Sequence, residues 1–383
     1  MSPPAPELRR GQGGHKARPY GAHGGGGMRT IERIAAGPES EVLLGHGLLE
    51  DAGSYLTSPS GRFLLFSSPN AGAAAAAVRR SLSGRLIADE TFDDREEAKT
   101  LATVSKLADA ALAAGLKRDD TVVAVGGGVA SDVAGFAAAI LLRGVPWFAV
   151  PTTTGAMADA AIGGKTGVDH ATGKNLLGAF HPPRAVLVDP AAASGLPERD
   201  YRAGLVEALK AACIADAALF EMMERRAEHI LERREDALLA CLSGAVRVKA
   251  GIVAADPREG DRRRLLNFGH TLGHALEAAG GYRDLKHGEA VAWGIAAALA
   301  ISRRRAGLSA GDAERVRRAL VRLGPFPVPV RDPKVLGPFL SRDKKATSRG
   351  VAGVLLEAAG RARIEEGMSE AEWLEAAAIM SLS

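Results

Sequence analysis

The chain has 383 residues, 46% of them apolar and 25% charged, with a formal net charge of +4 at neutral pH. A globular protein of that length has room for two domains of ordinary size. The positive excess sits mostly near the N-terminus, where Arg9, Arg10, Lys16 and Arg18 face only Glu7. With no clustered basic face and no nucleic-acid-binding module in the nearly neutral remainder, nucleic acid is excluded as an expected partner.

Residues 1–27 are rich in Pro, Gly and Arg and hold almost no large apolar side chains, which predicts a disordered tail. From 28 to 190, short apolar runs alternate with helical stretches: FLLFSS, EAKTLATVSKLADAALAAGL, TVVAV, SDVAGFAAAILLRG, WFAV and AVLVD. Strand, helix, strand in that order predicts an α/β domain, a parallel sheet with flanking helices. From 191 to 383 the character changes to long Ala-, Leu- and Arg-rich segments such as GIAAALAISRRR, which predict an all-α domain. The cleft between two such domains is a natural ligand site. Ser369 and Glu372 have the spacing of a capping box ahead of WLEAAAIM.

Cys213 and Cys241 stand alone inside helical segments and read as buried small hydrophobes, which fits a reducing cytosol. No uninterrupted run of about 18 apolar residues and no signal-peptide pattern appears. A cytoplasmic protein with no membrane partner is expected.

Between TVVAV and an Ala-rich helix lies GGGVASD. Gly126, Gly127 and Gly128 permit close approach of the backbone, and a helix N-terminus offers unpaired N–H groups to a pyrophosphate. The loop departs from GxGxxG because Ser131 takes the third glycine's place, and alone it fits a structural turn as well as a nucleotide site. Thr152 and Thr153 follow the next apolar run. Asp159, Lys165, Lys174 and Asn175 then fall in the glycine-punctuated string DAAIGGKTGVDHATGKNLLGAF, too irregular for one helix. Two lysines beside a strand's carboxyl end suit phosphate binding.

RRRLLNFGHTLGHALEAAG puts Asn267, His270 and His274 at helical spacing on one face. HGEAVAWG adds His287 and Glu289, and LVEALKAACI carries Glu207 and Lys210 at i, i+3. Several histidines and an acid favour a zinc site of two His and one Glu with a position open to substrate. His270 and His274 have the spacing of an HExxH pair but lack its glutamate, so spacing leaves the ligands undecided.

Taken together, GGGVASDVAGFAAAILLRGVP, PTT, GGKTGV, GKNLLGAF, LPERDYRAGLVEALK, RLLNFGHTLGHALE, HGEAV and DKK resemble the 3-dehydroquinate synthase family in order and spacing, over about Glu96 to Lys345. The resemblance implies an N-terminal NAD-binding domain, a helical zinc- and substrate-binding domain, and a homodimer. It implies conversion of 3-deoxy-D-arabino-heptulosonate 7-phosphate to 3-dehydroquinate plus phosphate, with NAD and Zn2+, or Co2+, as cofactors. In that reaction an alcohol is transiently oxidised, phosphate is eliminated, the ketone is reduced again, and the opened ring closes by an aldol step.

By the same resemblance the zinc ligands are Glu207, His270 and His287. The implied NAD contacts are Asp94, Glu96, Lys99, the loop of Gly127, Gly128, Val129, Ala130, Ser131 and Asp132, then Thr152, Thr153, Lys165 and Lys174. The implied substrate contacts are Asp159, Lys165, Asn175, Lys210, Lys249, Arg263, Asn267 and His274, with one or both of Lys344 and Lys345. Arg143 matches a residue that the family inserts into its partner's active site. The chain departs from the family at Ala160 and Ala161, which replace two hydroxyls, and at Ser68, Asp169 and Gly195. Two other readings compete: a sugar phosphate cyclase of inosose or valiolone type, and a net NAD-dependent polyol or glycerol phosphate dehydrogenase. The intact GGKTGV favours the synthase over the other cyclases.

Overall fold

The computed structural model describes residues 31–330, 332–344 and 351–382. The tail over residues 1–27 and Lys345 lie outside them.

Seven strands build the first half: β1 (Glu32–Ala35), β2 (Glu41–Leu44), β3 (Phe63–Ser67), β4 (Leu86–Thr91), β5 (Thr121–Gly126), β6 (Trp147–Pro151) and, after a separate antiparallel hairpin of β7 (Lys165–His170) and β8 (Gly173–Phe180), β9 (Ala185–Val188). Their order is β1-β2-β9-β6-β5-β3-β4, with only the β1–β2 pair antiparallel. A parallel sheet is covered on both faces, and β5 shows why its strands read as continuous apolar runs. Val123 and Val125 pack with Ala74, Ala75 and Val78 of helix α1 (Gly72–Ser81). Val122 and Ala124 pack on the other side with α2 (Leu101–Ala113) and α3 (Gly128–Ile140).

Helix α2 begins later than the run EAKTLATV suggests. Thr100 is extended and its hydroxyl accepts from Thr103 N at 3.3 Å, an N-cap that starts the helix at Leu101 and turns Lys99 inward. β4 and the first two strands were not evident from sequence.

The second half contains α4 (Glu198–Ala215), α5 (Ala217–Arg225), α6 (Ala227–Leu231), α7 (Glu235–Ala255), α8 (His270–Ala279), α9 (His287–Arg305), α10 (Ala310–Leu323), α11 (Pro333–Lys344) and α12 (Glu370–Ile379). This helical region also carries an antiparallel hairpin, β10 (Val351–Ala358) with β11 (Arg361–Met368), anchored where Leu356 N donates to Ser302 Oγ at 3.0 Å. The expected capping box of Ser369 and Glu372 opens α12. Cys213 and Cys241 are both free and buried.

α7 is long and apolar enough to cross a membrane by length and composition. Most of its apolar stretch is buried in the protein, and its Lys249 pairs with Asp159, so α7 is a core helix.

Candidate active site

β4 lies on one side of β3 and β5 on the other, so the chain's direction across the sheet reverses between β3 and β5. Ligand crevices form at such switch points, beyond the carboxyl ends of the strands. Here Ser68, the Gly126–Gly128 loop and Thr152–Thr153 leave β3, β5 and β6 side by side, with Ser68 N donating to Val125 O at 2.9 Å and Thr152 N to Gly126 O at 2.8 Å. A Cβ on Gly126 would sit 2.4 Å from Ala130 Cβ and 2.9 Å from Ser68 Cβ, so only glycine lets these loops meet. Gly127, Gly128, Val129, Asp132, Thr152 and Thr153 line a cleft of about 1640 Å³ together with Asp94, Glu96, Lys99 and Lys174. Ala130 and Ser131 are buried behind that wall and do not line it, and the Ser131 N–H donates to Gly127 O at 3.1 Å.

The β7–β8 hairpin closes one side of the cleft. Lys99 is buried and donates to Asp132 at 2.6 Å and to Asn175 Oδ1 at 2.5 Å. Burial raises Asp132 to about 6, partly offset by Lys99. Asn175 sits at φ +55°, and Asp169 holds it there by accepting its N–H at 2.8 Å. Lys174 pairs with Glu96 at 2.7 Å, lies 3.5 Å from Glu277 and stands 4.4 Å over the Tyr282 ring.

Deeper in the cleft, α4, α7, α8 and α9 bring charge together. His287 is the first residue of α9, and a Cβ on the next residue, Gly288, would lie 1.8 Å from Ala203 O. That close approach to α4 sets His287 Nε2 3.4 Å from Glu207 Oε1, one turn beyond Ala203. Gly269, at φ +80°, ends the preceding turn against α9, where a Cβ would meet Val291 O at 2.8 Å, and starts α8 at His270. The His270 and His287 rings are therefore 5.1 Å apart. The same break corrects the sequence reading: Asn267 ends the short Arg262–Asn267 turn and does not share a helix with His270 and His274.

The ligand atoms of Glu207, His270 and His287 lie within 4.8 Å of one another. Both oxygens of Glu207 are buried without a properly oriented hydrogen bond among the described residues, although Lys210 Nζ is 2.5 Å from Oε2. Burial opposes its charge, but Lys210 and the two imidazoles hold it well below the usual carboxylate range. Burial and then Lys210 keep His270 neutral, the form in which imidazole binds a metal. Desolvation opposes charge on His287, but Glu207 and Glu277 raise it to about 10, which marks a demand for positive charge at this point. A dication between Glu207, His270 and His287 meets that demand, so the donor set fits zinc or cobalt.

Asp159 lies 3.2 Å from Lys210 and 2.8 Å from Lys249. Despite burial, the two ammonium groups hold it at about 2, whereas burial and Lys210 lower Lys249. Arg263 is buried on the hairpin side, donating to Pro257 O and to Gly163 O at 2.9 Å each. Lys165 is half exposed and paired with Glu259. Asn267 is exposed, and His274 lines the cleft with its ring 5.2 Å from that of His270. Arg143 is exposed, away from the cleft, at φ +69°. Lys344 ends α11.

Two acids escaped the sequence reading. Glu277 follows His270 and His274 at i+7 and i+3 on α8, and Glu259 falls in a charged loop with no periodic signal. Glu289, by contrast, serves structure: it takes two bonds from Arg199, at 2.6 and 2.7 Å, and caps Lys286 N.

Residues 90–203 match the family described as 3-dehydroquinate synthase N-terminal, and residues 204–346 match 3-dehydroquinate synthase C-terminal. The chain belongs to the 3-dehydroquinate synthase family. Membership makes the protein an enzyme of the lyase class. It is 40% identical over 332 residues to the 3-dehydroquinate synthase of Solibacter usitatus (strain Ellin6076), covering 86% of this chain and 93% of that one. Among solved structures it is similar to 2-epi-5-epi-valiolone synthase from Streptomyces hygroscopicus subsp. jinggangensis 5008 with NAD+ and Zn2+ bound (TM-score 0.79, 30% identity, covering 88% and 95%). It is also similar to 2-deoxy-scyllo-inosose synthase complexed with carbaglucose-6-phosphate, NAD+ and Co2+ (TM-score 0.79, 26% identity, covering 92% and 100%).

The departures from the family pattern fall around the cleft. Ser68 is buried and its hydroxyl caps Asn70 N at 3.1 Å. Gly195 lines the cleft with nothing within 4 Å of where a Cβ would be, so the side chain common in the family has space. Asp169 supplies the acceptor that an asparagine would supply.

Proposed function

We propose that this cleft converts 3-deoxy-D-arabino-heptulosonate 7-phosphate into 3-dehydroquinate and phosphate, with NAD+ along the β3–β5 crevice and a divalent ion, zinc or cobalt, held by Glu207, His270 and His287. The observation that carries the reading is the buried Glu207 carboxylate, without a properly oriented hydrogen bond among the described residues and grouped with two imidazoles in the same cleft as the glycine loop. When bound, the metal polarises the reacting oxygens and the nicotinamide takes and returns a hydride.

The chain's own residues do the rest. Gly127 to Asp132, with Thr152 and Thr153, offer backbone and hydroxyl donors to the dinucleotide, while Asp94, Glu96, Lys99 and Lys174 line its other side. Asp159 fixes Lys210 and Lys249 against the substrate's hydroxyl and carboxylate oxygens. Arg263 uses two of its donors on Pro257 O and Gly163 O and keeps others for the carboxylate. Lys165, Asn267 and His274 take the phosphate, Lys165 by exchanging its Glu259 partner for the more highly charged group. Asn175 completes the pocket. Arg143, with no partner among the described residues and an exposed position on a strained turn, reaches the site of the second subunit of a homodimer. The division of labour places the NAD side in residues 28–190 and the metal side in residues 191–383. The family and the two free cysteines support a cytoplasmic setting.

Phosphate release and dehydroquinate formation, measured together with and without a chelator, test the reading. Both should rise in step, stop with the chelator, and leave almost no NADH. Phosphate release from heptulose 7-phosphate or glucose 6-phosphate, but not from the heptulosonate, would instead make the protein one of the other cyclases. NADH accumulating with substrate would make it a net dehydrogenase.

A further inference from the structure

We propose that Glu277 is a positioning residue for the metal centre: its carboxylate accepts the Nδ1 proton of His287 and so presents Nε2 of that ring to the ion shared with Glu207 and His270. This rests on the assignment of those three residues as the ligands.

His287 stands between two carboxylates, with Nε2 3.4 Å from Glu207 Oε1 and Nδ1 3.2 Å from Glu277 Oε2. A neutral imidazole that ligates through Nε2 keeps its one proton on Nδ1, and that proton needs an acceptor. A carboxylate in that place fixes the tautomer and the ring rotation, and makes the ligating nitrogen more basic. His287 opens α9 while Glu277 closes the last turn of α8, so the contact also ties together the two helices that supply the histidine ligands.

Glu277 is itself held. It is buried to 4% exposure, and its other oxygen lies 3.5 Å from Lys174 Nζ, which is in turn 2.7 Å from Glu96. A rival arrangement gives Glu277 a second ion, since the ligand atoms of His274, Glu277 and His287 also lie within 4.8 Å of one another. Two features oppose it. The Lys174 ammonium already supplies positive charge beside Glu277, and a second ion on Nδ1 would require His287 to lose both ring protons.

The test compares the full-length parent with Glu277→Gln and Glu277→Asp. Zinc affinity is measured by competition with a chromophoric chelator, bound metal is counted per chain, and the absorption spectrum is recorded after loading with cobalt. The parent should bind one ion per chain. Glu277→Gln should fold, bind zinc about 10- to 100-fold more weakly and shift the cobalt bands, with Glu277→Asp recovering part of the loss. A purely structural role would lower thermal stability without moving the cobalt bands. If the parent binds one ion and folded Glu277→Gln matches it within about threefold, with the same spectrum, the inference fails while the ligand assignment stands. Two ions per parent chain would overturn it in favour of the second site. A parent that takes up neither metal would overturn the ligand assignment and this inference together.

Discussion

His270 and His274 sit one turn apart on α8 with their rings 5.2 Å apart, yet the donor atoms gathered at Glu207 are those of His270 and His287. His274 instead faces the open cleft. The two histidines therefore separate on substitution. His274→Ala is expected to keep its zinc, measured by metal analysis, and to lose at least about tenfold in kcat/KM through one missing bond to a charged phosphate. Glu207→Gln is expected to lose the zinc itself, because a neutral amide replaces the only anionic ligand. Metal-empty His274→Ala protein would sink the distinction. Spacing could not make it, since i and i+4 look equivalent on a helix; the separation comes from the helix start at Gly269 and from α9 arriving beside α4.

At the scale of elements, the sequence was legible where one periodicity ran uninterrupted. Buried β5 and β6, the long helices α4 and α9, and the α12 capping box could all be read from it. It was illegible where tertiary contact decides. Asn267 continues the helical spacing of His270 and His274, but Gly269 turns left-handed against Val291, and that needs knowledge of α9. Glu277 looks like an ordinary surface acid until His287 and Lys174 close over it. The β10–β11 hairpin lacks a strong turn signal and lies in a region of helical composition. Gly288 is another such point. Gly288→Ala is expected to push the start of α9 away from Ala203 and so to weaken zinc binding, measured by chelator competition; equal zinc affinity would show that α4 and α9 do not set the ligand geometry. Helix α12 gives a pH prediction. The Arg305 hydrogen bond, then the Ser369 N–H, hold Glu372 at about 2, so its folded pKa is depressed. The stability it contributes is present above the ordinary glutamate value and is lost as pH falls toward 2. Glu372→Gln, which keeps the capping box but removes the charge, should therefore cost about 0.5 kcal/mol in urea unfolding at pH 7, with the gap to the parent closing in acid. A gap unchanged down to pH 2 would mean that the charge contributes nothing.

For the whole molecule, the open question is whether one chain makes a complete site. The cleft is lined by Asp159, Glu207, His274 and His287, with Lys210 and Lys249 paired to Asp159 and the His270 ring beside that of His287. Arg143 does not line it and follows α3, on a turn in which Leu142, Arg143 and Gly144 all have positive φ. Backbone strain of this kind clusters at functional sites, and the Arg143 guanidinium has no partner among the described residues. Leu176 and Phe180, on the nearby β8, are also exposed, as an apolar contact surface would be. If a homodimer completes each site with the other subunit's Arg143, then Arg143→Ala and His274→Ala should each be inactive alone and restore activity when mixed after subunit exchange. Random reassociation makes half of the dimers mixed, and each mixed dimer has one intact site, so recovery should approach about a quarter of the parent activity. A monomer in analytical ultracentrifugation, or no recovery despite proven exchange, would place Arg143 outside the catalytic machinery. Full activity of Arg143→Ala alone would do the same and leave the phosphate to Lys165, Asn267 and His274 of a single chain.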